Sequence, residues 1–85
     1  MNYYCYILQS QKNNKYYIGS CQNLQQRLDE HNAGFTKSTR YGRPWEIVYY
    51  EEFSTRAMAC RREKQIKSYK GGNAFKKLIN LGEVA

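Results

Sequence analysis

Eighty-five residues with a formal charge of +7 and a pI near 9.5 make one small domain, spanning residues 1–85, with a single core and no room for a second. No apolar run approaches the roughly 18 residues a membrane span needs, and Met1-Asn2-Tyr3 does not begin a signal peptide, so a cytoplasmic protein without membrane contact is expected. Three widely spaced cysteines, Cys5, Cys21 and Cys60, fit neither a paired disulfide framework nor a zinc knuckle and are expected to be reduced.

Two short aromatic stretches open the chain, Tyr4-Cys5-Tyr6-Ile7-Leu8 and Tyr16-Tyr17-Ile18-Gly19-Ser20. The polar run from Gln9 to Lys15 between them holds Asn13-Asn14, which marks a β-hairpin. Side chains alternate faces along a strand, so Tyr6 and Tyr17 share a face only if they lie opposite or are offset by an even number of residues. Gly19 then lies on that face as well, and it is expected to leave a bare patch of backbone that a ligand can approach.

A helix follows from Leu24 to Ala33, with Asn23 as its N-cap and Gly34 as its terminator. At 100° per residue Leu24, Leu28 and His31 fall on one stripe, with Arg27 at its edge. Phe35 to Pro44 is a loop whose Thr36, Lys37, Ser38, Thr39, Arg40 and Arg43 are groups that contact phosphate oxygens without reading bases. Trp45 to Phe53 is the third strand, and its apolar residues on both faces predict a central or well-covered position.

Ser54 is placed to cap a second helix running from Thr55 to about Tyr69. Ala59, Glu63 and Ile66 lie on its small apolar stripe. From Phe53 to Gly82 the bases Arg56, Arg61, Arg62, Lys64, Lys67, Lys70, Lys76 and Lys77 are interrupted by one acid, Glu63. Such a face predicts a polyanionic partner, nucleic acid before anionic lipid. A carboxylate turned along an apolar stripe must be paired, protonated or bound to a cation. Arg27, a neighbouring lysine or a metal ion could serve. Gly71-Gly72 ends the helix, and Asn73 to Leu81 forms a last one with Phe75, Leu78 and Ile79 as its apolar side. The order β-β-α-β-α-α predicts an α+β fold, a small three-stranded and largely antiparallel sheet flanked by helices.

Tyr6, then Tyr17-Ile18-Gly19, then Arg27 and His31 on a helix, then Glu63 followed by Lys64-Gln65-Ile66-Lys67: this ordered set resembles the GIY-YIG nuclease superfamily. It is most similar to small proteins that match the N-terminal cleavage domain of the bacterial excinuclease C subunit. The first signature triplet departs from the family, since Tyr4-Cys5-Tyr6 keeps only its final tyrosine. The helix position one turn after the arginine is His or Tyr in the family and is His31 here. Family members also carry a late asparagine near the metal, for which Asn73 and Asn80 are candidates.

The resemblance implies a metal-dependent DNA endonuclease, with RNA as a further possible substrate and a role in DNA repair or recombination. Tyr6, Tyr17, Arg27, His31 and Glu63 would be catalytic. Glu63 would hold Mg²⁺ or Mn²⁺ with several waters, and Arg27 would clamp phosphate oxygens. One tyrosine would serve as general base while the other orients the water, and the base needs nearby positive charge to form a phenolate. Lys37, Arg40, Arg43, Arg62, Lys67 and Lys70 are expected along the nucleic acid. The alternative is a binding module of the same fold that does not cut and acts through a protein partner.

Overall fold

A three-stranded antiparallel sheet with strand order β2-β1-β3 lies between helices. The computed structural model describes the backbone of residues 2–84 and the side chains of residues 2–80. Strands β1, β2 and β3 are Tyr3–Ser10, Tyr16–Cys21 and Trp45–Phe53, and helices α1, α2 and α3 are Leu24–Ala33, Arg56–Ser68 and Asn73–Val84. This is the expected element order and the expected α+β class.

The hairpin turn is organised by Ser10 and two asparagines. Ser10 Oγ accepts from the amides of Lys12 and Asn13, both at 3.1 Å, while Asn13 Oδ1 accepts from Lys15 N at 3.0 Å. Asn14 takes the left-handed backbone at φ 64°, a region its short polar side chain tolerates better than most.

Alternation along β1 divides the core in two. Cys5 and Ile7 face α2 and α3, packing with Ile66, Phe75, Leu78 and Ile79. Tyr6 and Leu8 face the other way, toward Trp45, Leu24 and Leu28. Three layers result, with α1 on one side of the sheet and α2 and α3 on the other.

Strand β3 is an edge strand, not a central one, because β1 takes the middle place. Its two apolar faces have another cause. A register shift opposite Ile7/Leu8 pairs Ile7 with Tyr49 and Leu8 with Ile47, leaving Val48 as the extra residue of a bulge. Val48 and Tyr49 therefore join the α2/α3 side while Ile47 joins the α1 side, and α1 and α3 each contact the strand.

Helix α1 has the expected caps: Asn23 accepts from Gln26 N at 2.9 Å, and Gly34 closes the helix at φ 85°. The cap of α2 is Thr55 rather than Ser54. Thr55 has the extended backbone a cap needs, and its hydroxyl accepts from Met58 N at 3.2 Å. All three cysteines are free. Among the described residues, no helix is long and apolar enough to cross a membrane.

Candidate functional site

The hairpin register sets the site. Tyr6 pairs with Gly19 and Leu8 with Tyr17, so the two tyrosines are offset by two residues and project from the same face. Their ring centroids lie 6.4 Å apart. Gly19 is not the open backbone patch expected of it. It is buried, and a Cβ there would lie 2.5 Å from Tyr6 Oη and 2.7 Å from Tyr6 Cζ. Glycine is needed because the Tyr6 ring lies across the facing strand.

His31 closes the cluster from above. It is the one buried residue of α1, only 1% exposed, and its ring centroid stands 4.8 Å from that of Tyr17 and 6.2 Å from that of Tyr6. Its Nε2 lies 3.1 Å from Tyr6 Oη, and its Nδ1 lies 2.8 Å from the hydroxyl of buried Thr39. The helix stripe thus brings an imidazole onto the two phenols. Burial, and then the charge of Arg27, hold the His31 pKa below its ordinary 6.5, with Glu30 opposing. Burial, and then Tyr17, push the Tyr6 phenol above its ordinary 10, with Arg27 pulling it back.

Arg27 sits at the rim. Its side chain is partly exposed and meets Glu30 at 3.3 Å. With Ser20, Cys21, Gln26, Arg56 and Cys60 it lines a groove of about 260 Å³ between the end of β2, α1 and α2.

Glu63 approaches from the other layer. Its charge acts on both Tyr6 and Cys5, but its own bond is to Lys67 Nζ, at 2.6 Å, one turn along α2. Of the pairings expected for it, the lysine is the one found, and no hydrogen bond joins Glu63 to Tyr6, Tyr17, Arg27 or His31. Among the described residues, no three His, Cys, Asp or Glu side chains converge on a metal position. A lone carboxylate fits Mg²⁺, which keeps several waters and takes substrate oxygens, and does not fit a metal caged by protein alone.

The basic residues separate into two kinds. Lys37, Arg40, Arg43 and Lys70 are exposed. The Nε atoms of Arg40 and Arg43 donate to Gly34 O at 3.0 Å and Arg40 O at 2.7 Å, which props the two side chains on their own loop. Arg62, expected along the nucleic acid, is engaged within the fold. Its Nε and one NH₂ group meet Glu51 at 2.8 and 3.0 Å, and its other NH₂ group donates to Gln65 and Tyr69. It ties α2 to β3. Lys67 is taken by Glu63, whose hydrogen bond raises the lysine pKa. Asn73 and Asn80 are exposed on α3, with no hydrogen bond to Glu63 among the described residues.

Four residues matter here beyond what the sequence suggested for them. Thr39, read as a phosphate contact, is 1% exposed and holds His31; nothing in a loop of hydroxyls distinguishes it. Arg56 lines the groove with Arg27, a position its place in the first turn of α2 beside the cap could have signalled. Phe35 and Tyr41, 76% and 77% exposed, stand among Lys37, Arg40 and Arg43, an interleaving of aromatics and cations visible in the sequence.

The family model of the GIY-YIG catalytic domain matches residues 2–76. A UPF0213 protein of Staphylococcus haemolyticus is 41% identical over 68 residues, covering 79% of this chain and 82% of that protein. One of Haloquadratum walsbyi is 40% identical over 68 residues, covering 79% and 75%. The solution NMR structure of a UPF0213 protein from Bacillus halodurans superposes with a TM-score of 0.59 at 27% identity, covering 95% of this chain and 85% of that one. With the paired tyrosines on one face and the matched stretch reaching from the hairpin into α3, the chain belongs to the GIY-YIG catalytic domain family, whose members are usually nucleases.

Proposed function

We propose that the protein is a divalent-metal-dependent endonuclease that hydrolyses phosphodiester bonds in DNA, either non-specifically or by substrate structure, in the service of repair or recombination. The observation that carries this reading is the meeting of Tyr6, Tyr17 and His31 on one face, with Arg27 at the rim. A core has little use for that many polar heads together.

Tyr17 is the better general base. It is half-buried on the edge strand, whereas Tyr6 is 3% exposed and its burial opposes a phenolate. Tyr6 orients the water. Arg27 neutralises non-bridging phosphate oxygens, and Arg56, on the same groove, takes the next phosphate along the strand. Glu63 is the side chain that would hold hydrated Mg²⁺ or Mn²⁺, which when bound supplies positive charge to the phosphate and to the leaving oxygen. Lys67 must release the carboxylate as it does so. Lys37, Arg40, Arg43 and Lys70 hold the phosphate backbone, and Phe35 and Tyr41 offer flat faces to bases that are out of the stack.

The Glu63–Lys67 ion pair favours one competing reading, a binding module whose carboxylate is neutralised internally. Cleavage of a labelled panel (duplex, nicked duplex, flap, four-way junction, single strand and RNA hairpin) with Mg²⁺, Mn²⁺ or EDTA separates the two. A nuclease cuts with metal and loses cutting, but not binding, in Glu63→Gln. Binding without cutting under every condition establishes the module.

A further inference from the structure

We propose that Thr39 is a positioning residue: it fixes His31 in the tautomer protonated at Nδ1, so that Nε2 is free to accept the proton of the Tyr6 hydroxyl. The proposal deepens the nuclease reading in what it says about catalysis, while the tautomer stands without it.

Four groups form a line from the site into the loop, the first three buried and the last half-buried. Tyr6 Oη lies 3.1 Å from His31 Nε2, His31 Nδ1 lies 2.8 Å from Thr39 Oγ1, and Thr39 Oγ1 lies 3.3 Å from the carbonyl oxygen of Thr36. Tyr6, His31 and Thr39 are each at most 3% exposed, so every proton in the line needs a partner. A neutral imidazole donates from one nitrogen and accepts at the other, which leaves two ways to orient the line.

The end of the line decides between them. A carbonyl oxygen only accepts, so the Thr39 hydroxyl proton must point at Thr36 for that contact to be favourable. Its lone pair then faces His31, and His31 must donate from Nδ1. Reversing the line would turn the Thr39 proton to Nδ1 and set its oxygen lone pair against the Thr36 carbonyl. It would also make Nε2 the donor to Tyr6 and leave the Tyr6 proton without an acceptor among the described residues, where His31 is the partner found for that hydroxyl. An unpartnered buried donor loses its water without replacement, which disfavours that orientation. Only the forward orientation satisfies all three protons, and no buried side-chain nitrogen or oxygen is left unpartnered among the described residues.

Thr39 is itself held in place, so it can impose this choice. Its amide donates to Thr36 O at 3.2 Å and its carbonyl accepts from Trp45 Nε1 at 2.7 Å. The Trp45 backbone is in turn clamped by Asn32 on α1 through bonds of 2.6 and 3.1 Å. With Nε2 unprotonated, the Tyr6 oxygen points its lone pairs toward the site and accepts from water. Held in this way, Tyr6 orients the water whose proton Tyr17 takes.

Long-range ¹H–¹⁵N correlation of the ¹⁵N-labelled protein reads the tautomer directly, since the protein has a single histidine. The expected spectrum at neutral pH has a protonated, pyrrole-type Nδ1 and an unprotonated, pyridine-type Nε2. Thr39→Val should lose that pattern, and Thr39→Ser should restore it. On the panel above, cleavage should fall about tenfold in Thr39→Val, the scale of one hydrogen bond, and recover in Thr39→Ser. A pyrrole-type Nε2 in the wild-type protein overturns the proposal, as does an unchanged tautomer in Thr39→Val. If the valine variant fails to fold, the wild-type spectrum still decides. An uncleaved panel together with an Nδ1–H spectrum removes the nuclease reading and supports the tautomer, so the two failures are distinguishable.

Discussion

Gly19 and Tyr17 show how single positions on one strand do opposite work. At Gly19 the missing Cβ makes room for the Tyr6 phenol, whose far end is buried against His31 and cannot swing aside. Gly19→Ala is therefore expected to destabilise the fold by roughly 1–3 kcal/mol, the usual cost of overpacking, measured by urea unfolding; an unchanged midpoint would mean that the ring relaxes freely. Tyr17, two residues earlier, has an accessible edge. Tyr17→Phe should leave the urea midpoint close to wild type while turnover falls by about two orders of magnitude or more, the scale of a lost general base. Turnover equal to wild type would move the base to Tyr6 or His31.

At the scale of elements, the two groups of cations predict opposite phenotypes. Arg62 fastens α2 to β3 through a bidentate, partly buried contact with Glu51. Arg62→Gln should cost about 1–3 kcal/mol of stability, because Glu51 is left without its charged partner, and should leave the salt dependence of DNA binding unaltered. Lys37 and Arg40 lie on an exposed loop. Their joint replacement by Ala should leave stability unchanged, weaken binding on every sequence alike, and reduce the slope of log K against log salt by roughly two. A salt slope lowered by Arg62→Gln would return that residue to the interface. The contrast also marks what the sequence holds. Helix periodicity placed His31 and Glu63 on their inward stripes, and the Asn23 and Gly34 signals placed the ends of α1, because these are local effects of spacing and backbone shape. Hairpin register, the bulge at Val48, the partner of Arg62 and the burial of Thr39 depend on residues distant in the chain. For that reason the sequence alone left the register and the bulge open, and suggested phosphate contacts for Arg62 and Thr39 in place of the partners found.

For the whole molecule, acid should loosen the fold in two separate steps, one on each side of the sheet. On the α1 side, His31 is enclosed by Tyr6, Tyr17 and Thr39, with Arg27 and Glu30 as the nearby charges. Its folded pKa lies below 6.5, so in the window beneath 6.5 the unfolded chain binds protons that the folded chain refuses. Stability attributable to His31 is thus fully present above that pH and declines as the pH falls toward the folded value. On the α2 side, burial works to raise the Glu51 pKa, but hydrogen bonds from Arg62 and Tyr49 outweigh it and hold the carboxyl below its ordinary 4.5. Its contribution is present above 4.5 and is lost as the pH falls through the lower, folded value. Urea midpoints followed from neutral to acid pH should accordingly decline once beginning near 6.5 and again beginning near 4.5. His31→Gln should remove the first decline and keep the second, and Arg62→Gln should blunt the second and keep the first. If the first decline survives in His31→Gln, no buried imidazole governs it, and the enclosed cluster of Tyr6, Tyr17 and His31 is not closed to protons in solution.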